Sequence, residues 1–247
     1  MWPGDHVGGV LGCGGGAACA EVMAEFSDRK AQASWPGTVG QWPQHTHDWE
    51  ARFRAGDTPW EDDAVAPSVV DLVREHAPLG ARVLELGCGR GATSVWLAEQ
   101  GYRVMACDIS PEAVRQARQR AEAAGVEALF LVADVLADTI HLPAAEVVLT
   151  RGVLHTFTTA EGRAAFAAAV ARCLPAAGVW LDLSGSADTP DAPGERTRSG
   201  LPRLTLGELA TAVEPYFEVL SVRRALYGLT PARTDFLAWA SALRRRP

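Results

Sequence analysis

The chain predicts an α/β fold built on a doubly wound, mostly parallel sheet, and three observations carry this. First, short apolar runs alternate with helical segments: Arg82–Glu85, Tyr102–Cys107, Leu129–Val132, Glu146–Thr150 and Val179–Leu183. Strands that are apolar on both faces belong to a parallel sheet covered on both sides. Second, polar residues collect at the carboxyl ends of these runs: Glu85, Asp108, Asp134 and the Thr150-Arg151 pair. Ligands of open parallel sheets bind at that edge. Third, Phe217–Arg224 and Thr234–Ala242 alternate apolar and polar with no helical spacing between them. They predict an antiparallel hairpin that closes the sheet.

The segments follow in order. Residues 1–47 predict a flexible Gly-rich arm, because Gly8, Gly9, Gly12, Gly14, Gly15 and Gly16 offer little to pack. Residues 48–247 predict the folded domain. Five of the eight tryptophans lie in the first 60 residues, so aromatic mass is concentrated ahead of the sheet. Trp49 and Phe53 are four apart, on one helical face. Gly56-Asp57-Thr58-Pro59 ends that helix, and Trp60 follows, either as core or as part of a lid. Val69–His76 reads as an amphipathic helix, stopped by Pro78-Leu79-Gly80. The first strand then runs into Gly87-Cys88-Gly89-Arg90-Gly91 and a helix over Thr93–Gln100. A helix from Ser110-Pro111 to Ala124 has a serine cap, proline at its first position and Gly125 as its stop. Helices are also expected over Ala160–Cys173 and Thr205–Val213. The polar stretch Ser184–Gly200 reads as a loop on the ligand side.

Composition removes several function classes. A chain of 247 residues holds one α/β domain and an extension. A formal charge of −7 argues against nucleic acid as the partner. None of the five cysteines forms a C-x-x-C pair, so neither a zinc site nor a disulfide framework is expected. His45 and His47 form an isolated H-x-H, which predicts no metal site. No apolar run reaches the ~18 residues of a membrane span. A cytoplasmic protein that acts without a membrane, as a monomer or homodimer, is the expectation.

The turn after the first strand is the chemical centre. Gly87, Gly89 and Ala92 satisfy the dinucleotide pattern G-x-G-x-x-A, which leaves an NAD(P)-dependent oxidoreductase as one reading. Glu85, Gly87, Gly89 and Gly91 satisfy acid-x-G-x-G-x-G completely. A carboxylate beside the turn suits a ligand that carries an ammonium group. Asp108, about 20 residues on at the end of the second strand, is placed to accept ribose hydroxyls.

From Trp49 onward the chain resembles the class I S-adenosylmethionine (SAM) methyltransferases. It is most similar to their small bacterial branch of thiopurine, halide/thiol and tellurite-resistance enzymes. The resemblance rests on Gly56–Glu61, the Glu85–Gly91 turn, Asp108-Ile109-Ser110, Ala133-Asp134-Val135 and Arg151–His155. It implies a seven-stranded Rossmann-like sheet with an antiparallel strand near the C-terminus, and SAM as cofactor. By the same resemblance Gly87, Gly89 and Gly91 hold the methionine part, Asp108 the ribose, and Asp134 and Val135 the adenine. Trp60 lies over the cofactor, and Cys88, Ile109 and Thr150 complete the candidate contacts. Thr150 departs from the branch, which often has an acid there. Arg151 and His155 are the candidate catalytic residues, Arg151 to attract an anionic acceptor and His155 as a base. The expected reaction is methyl transfer to a small molecule, a thiol or other soft nucleophile first, with O-, N- or C-methylation as the alternative. A non-catalytic SAM-binding protein is the reading from another class.

Overall fold

The computed structural model describes residues 48–61, 63–137, 142, 144–187, 203–228 and 237–247. The expected Gly-rich arm and most of the polar loop expected at Ser184–Gly200 lie outside the described residues. Seven strands form one sheet in the order β3-β2-β1-β4-β5-β7-β6. They are β1 (Arg82–Leu86), β2 (Arg103–Asp108), β3 (Ala128–Val132), β4 (Val147–Arg151), β5 (Val179–Gly185), β6 (Phe217–Leu226) and β7 (Leu237–Arg245). Neighbours among β1 to β5 pair in parallel, and β7 is antiparallel to both β5 and β6. The mostly parallel seven-stranded sheet with one antiparallel strand is therefore present as predicted. Strand order reverses direction between β1 and β4, so a crevice opens at the carboxyl ends of those strands.

The helices are α1 (Trp49–Ala55), α2 (Pro67–His76), α3 (Ala92–Glu99), α4 (Pro111–Ala124), α5 (Ala160–Arg172) and α6 (Leu206–Val213). Local chemistry sets their ends. Asp48 caps α1 by accepting the Ala51 N–H at 3.0 Å, and Gly56 stops it in the left-handed region. Ser110 caps α4 with Pro111 behind it, and Gly125 ends it. Thr205 and Glu208 form a reciprocal capping box on α6.

The side chains of each strand alternate between two cores. Leu84, Leu86, Met105, Val148 and Trp180 pack with Phe166 and Val170 of α5 and Leu209 and Val213 of α6. On the other face, Val83, Val104, Leu149 and Leu181 pack with Val69, Leu72 and Val73 of α2 and Leu97 of α3. Val114 and Ala117 of α4 meet Ala106 and Phe130 on that same face. Both faces being covered is why these strands lack a polar face. Among the described residues no helix is long and apolar enough to cross a membrane.

Candidate active site

A cavity of about 920 Å³ opens at the carboxyl ends of β1, β2, β3 and β4. Its floor is the glycine turn. Gly89 has φ +52°, and a Cβ there would collide with Glu61 Oε1, so the turn must be bare for a group to lie against it. Gly91 serves packing instead: a Cβ on it would stand 2.8 Å from Ala117 Cβ of α4, and Gly91 does not line the cavity.

Of the residues singled out from the sequence, Trp60, Glu85, Gly87, Cys88, Gly89, Asp108, Ile109, Asp134, Val135 and Arg151 all line this cavity. Asp108 is fixed by two backbone donors, Gly89 N to Oδ2 and Ser110 N to Oδ1, each at 2.9 Å. Burial pushes its carboxyl up to about 6 against those bonds. Asp134 accepts the Leu136 N–H at 2.9 Å, which shapes the turn after β3. Glu85 is 2% exposed and accepts from Ser94 Oγ of α3. Desolvation pushes it up to about 8.

The remaining two residues lie behind the wall. Thr150 is buried, donates from Oγ1 to Asp182 Oδ1 at 2.6 Å and accepts from Trp180 Nε1 at 2.8 Å. A carboxylate is thus supplied from β5 beside the position where the resemblance leads one to expect an acid. His155 sits in a 3₁₀ turn, Leu154–Thr156, that the sequence reading did not anticipate. The ring is 2% exposed, Nδ1 accepts the Gly185 N–H at 2.9 Å, and Tyr227 covers it at 5.8 Å. Burial, then the nearby charges of Arg151 and Arg203, push its pKa down to about 4. This ring is neutral at pH 7 and its Nδ1 lone pair is in use.

The roof comes from the segment ahead of the sheet. Trp49, Glu50, Phe53, Arg54, Trp60 and Glu61 all line the cavity. Trp60 is gripped edge-on by Trp49 at 5.4 Å and Phe53 at 6.2 Å, with the Arg52 guanidinium 4.2 Å above its ring. The roof is tied down by acids. Glu50 accepts Ser110 Oγ at 2.6 Å and Glu112 N at 3.0 Å, at the start of α4. Asp63 pairs with Arg120 at 3.0 Å and Arg90 at 3.5 Å. Arg151 reaches up from β4, donating to Trp60 O at 3.2 Å and lying 4.7 Å from the Tyr227 ring centre. Sequence reasoning passed over Glu50, Glu61, Phe157 and Val153 as wall residues. Glu61 and Val153 carried a signal, as members of the Gly56–Glu61 and Arg151–His155 stretches.

The site has the shape and donor set for SAM: an acid at the end of β2, a bare turn beneath and an aromatic roof. Among the described residues no group of three or more His, Cys, Asp or Glu is spaced to hold a metal ion.

Residues 83–178 match the protein family described as a methyltransferase domain. A ubiquinone biosynthesis O-methyltransferase of Xylella fastidiosa is 38% identical over 99 residues, which are 35% of this chain and 40% of that protein. The chain thus spans about two fifths of that relative's length. A solved structure described under the conversion of a disulfide bond into a thioacetal group during echinomycin biosynthesis is 29% identical. It covers 76% of this chain and 84% of its own, with a TM-score of 0.64. The Burkholderia thailandensis 1,6-didemethyltoxoflavin N1-methyltransferase, solved with S-adenosylhomocysteine, shares the fold at TM-score 0.64 and 20% identity, covering 98% and 94% of the two chains. Residues 83–178 thus match a methyltransferase domain, and the whole sheet has the fold seen in SAM-dependent methyltransferases of known structure.

Proposed function

We propose that the chain binds SAM in this cavity and transfers its methyl group to a small soft nucleophile, a thiol first. Gly87, Cys88 and Gly89 form the floor beneath the methionine part, Asp108 and Ile109 take the ribose, and Asp134 and Val135 border the adenine. When bound, SAM supplies a methyl group already activated by a sulfonium. An acceptor held in line with the carbon–sulfur bond would take the methyl carbon, with the bonding pair left on sulfur. The protein's part is to hold the acceptor in line and keep water out, and the Trp49, Phe53, Trp60, Val153 and Phe157 side chains are suited to that.

One observation carries the choice of acceptor: no histidine lines the cavity among the described residues, and His155 behind the wall is held neutral with Nδ1 occupied. A thiolate or another acidic nucleophile needs no proton removed in the site. An alcohol or ammonium does. The likeness to a protein of sulfur chemistry in echinomycin biosynthesis supports the same choice.

The test is a side-by-side acceptor screen read by release of S-adenosylhomocysteine (SAH). Thiols should exceed catechols and amines. SAH should raise the melting temperature and NAD should not, because a ligand that binds only the folded state stabilises it. Stabilisation by NAD alone would end the methyltransferase reading. Amine or carbon methylation without thiol methylation would end the acceptor reading and leave the cofactor standing.

A further inference from the structure

Three carboxylates converge on the glycine turn: Glu61 from the roof, Glu85 from β1 and Asp108 from β2. Asp108 is committed to the Gly89 and Ser110 N–H groups. Glu85 lies beneath the turn, 2% exposed, and turns toward Ser94 of α3. Glu61 differs from both. Its side chain is 10% exposed, and its Oε1 stands over Gly89 where a Cβ would be. Its Oε2 accepts the Arg90 N–H at 3.3 Å and lies 3.5 Å from Arg90 Nε. This carboxylate therefore rests on the ligand side of the bare turn, over the floor assigned to the methionine part.

We propose that Glu61, rather than Glu85, meets the ammonium of the methionine part of SAM, and so makes the site selective for a ligand with a charged amino group. The inference rests on the methyltransferase reading and goes beyond it in naming a group outside the glycine motif. An ammonium in a desolvated site needs an ionised acceptor that it can touch. Burial leaves the Glu61 carboxyl raised overall, with Arg151 and then Arg90 holding the rise back, and an ammonium brought against it would favour its ionised form. Among the described residues the donor to Glu85 is Ser94 Oγ, and burial pushes this carboxyl up to about 8 even though Ser94 and Arg151 oppose the rise. The roof does not depend on Glu61 alone, because Asp63 ties it to Arg90 and Arg120. Glu61→Gln keeps the size of the side chain and an acceptor for Arg90 N, and removes only the charge.

The experiment measures the affinity of the full chain for SAH and for the same molecule lacking its amino group. The wild type should prefer SAH by about tenfold or more, the value of a hydrogen bond between charged groups. Glu61→Gln should bring that preference to about threefold or less, chiefly by weakening SAH. Asp63→Asn, which loosens the roof, should weaken both ligands alike and keep the preference. Glu61→Ala is read in the same way if the glutamine variant does not fold. A preference that survives in Glu61→Gln overturns the proposal, as does a Glu61→Gln loss that falls equally on both ligands, the mark of a mere latch. A wild type that does not bind SAH removes the methyltransferase reading, and this proposal with it.

Discussion

Glu85 is held in a place that suits its neutral form. It sits at the end of β1 under the turn, buried, with Ser94 Oγ as its donor. Desolvation raises its pKa to about 8, and the nearby charges of Glu61 and Asp108 add to the rise. The sign of the consequence follows from proton linkage. The folded state holds a proton on Glu85 that the unfolded chain releases above its ordinary value of about 4.3. Stability from this group is therefore complete below that value and is lost as pH rises toward 8. Glu85→Gln keeps the acceptor for Ser94 and cannot ionise. It should melt higher than the wild type at pH 8, by several degrees, and the gap should close by pH 5. Equal melting temperatures at both pH values would show that Glu85 is not protonated in the fold. The identity and place of Glu85 were legible in the sequence because motif, strand and turn are contiguous. Its protonation was not, since that depends on what α3 and the roof bring to it from elsewhere. The same limit applies to Thr150 and His155. Their positions, Thr150 near the end of β4 and His155 just beyond it, pointed toward the cavity, yet pairing with Asp182 on β5 and with Gly185 N turned both behind the wall.

At the scale of elements, the roof is the part whose behaviour can be separated from the sheet. Trp49 and Phe53 were expected to share one face of a helix, and they do so against Trp60. What secures that helix is a contact between residues some 60 apart: Glu50 satisfies the Ser110 hydroxyl and the Glu112 N–H at the start of α4. No local pattern announces such a bond. A side chain that serves a helix N-terminus is worth about 1 kcal/mol. Glu50→Ala should therefore cost only about that in global stability, read by denaturant melts, while amide exchange in 48–61 speeds by about fivefold or more. Unchanged exchange in that segment, with the global loss intact, would show that the roof is held by Asp63 and the aromatic contacts without Glu50. The hairpin of β6 and β7 was legible for the opposite reason. Alternation with period two is local, and only the boundaries, which tertiary pairing sets, differ: β6 runs on to Leu226 where Arg224 was expected to end it, and β7 ends at Arg245 where Ala242 was expected.

Across the whole molecule, parallel strands with helices on both faces bring Glu85, Asp108, Asp134 and Arg151 to one edge from positions spread over 67 residues (151 − 85 + 1 = 67). That convergence was legible because strand direction alone dictates it. The other half of the cavity wall arrives from a segment ahead of the sheet, and this makes the domain boundary testable. The roof begins at Asp48, whose side chain caps α1 and which itself lines the cavity. Phe53 is 5% exposed, so α1 is packed, not merely attached. We therefore propose 48–247 as the folding unit. A chain that begins at residue 48 should melt within a few degrees of the full chain and bind SAH within about threefold, a difference under 1 kcal/mol. A chain that begins at residue 62 loses Trp49, Phe53, Trp60 and Glu61 together. It should retain the sheet by circular dichroism but bind SAH at least about tenfold more weakly, since a buried aromatic anchor alone is commonly worth more than 1 kcal/mol of binding. If the chain beginning at 48 is insoluble, residues 1–47 belong to the core. If the chain beginning at 62 binds SAH as well as the full chain does, the aromatic roof is no part of the cofactor site.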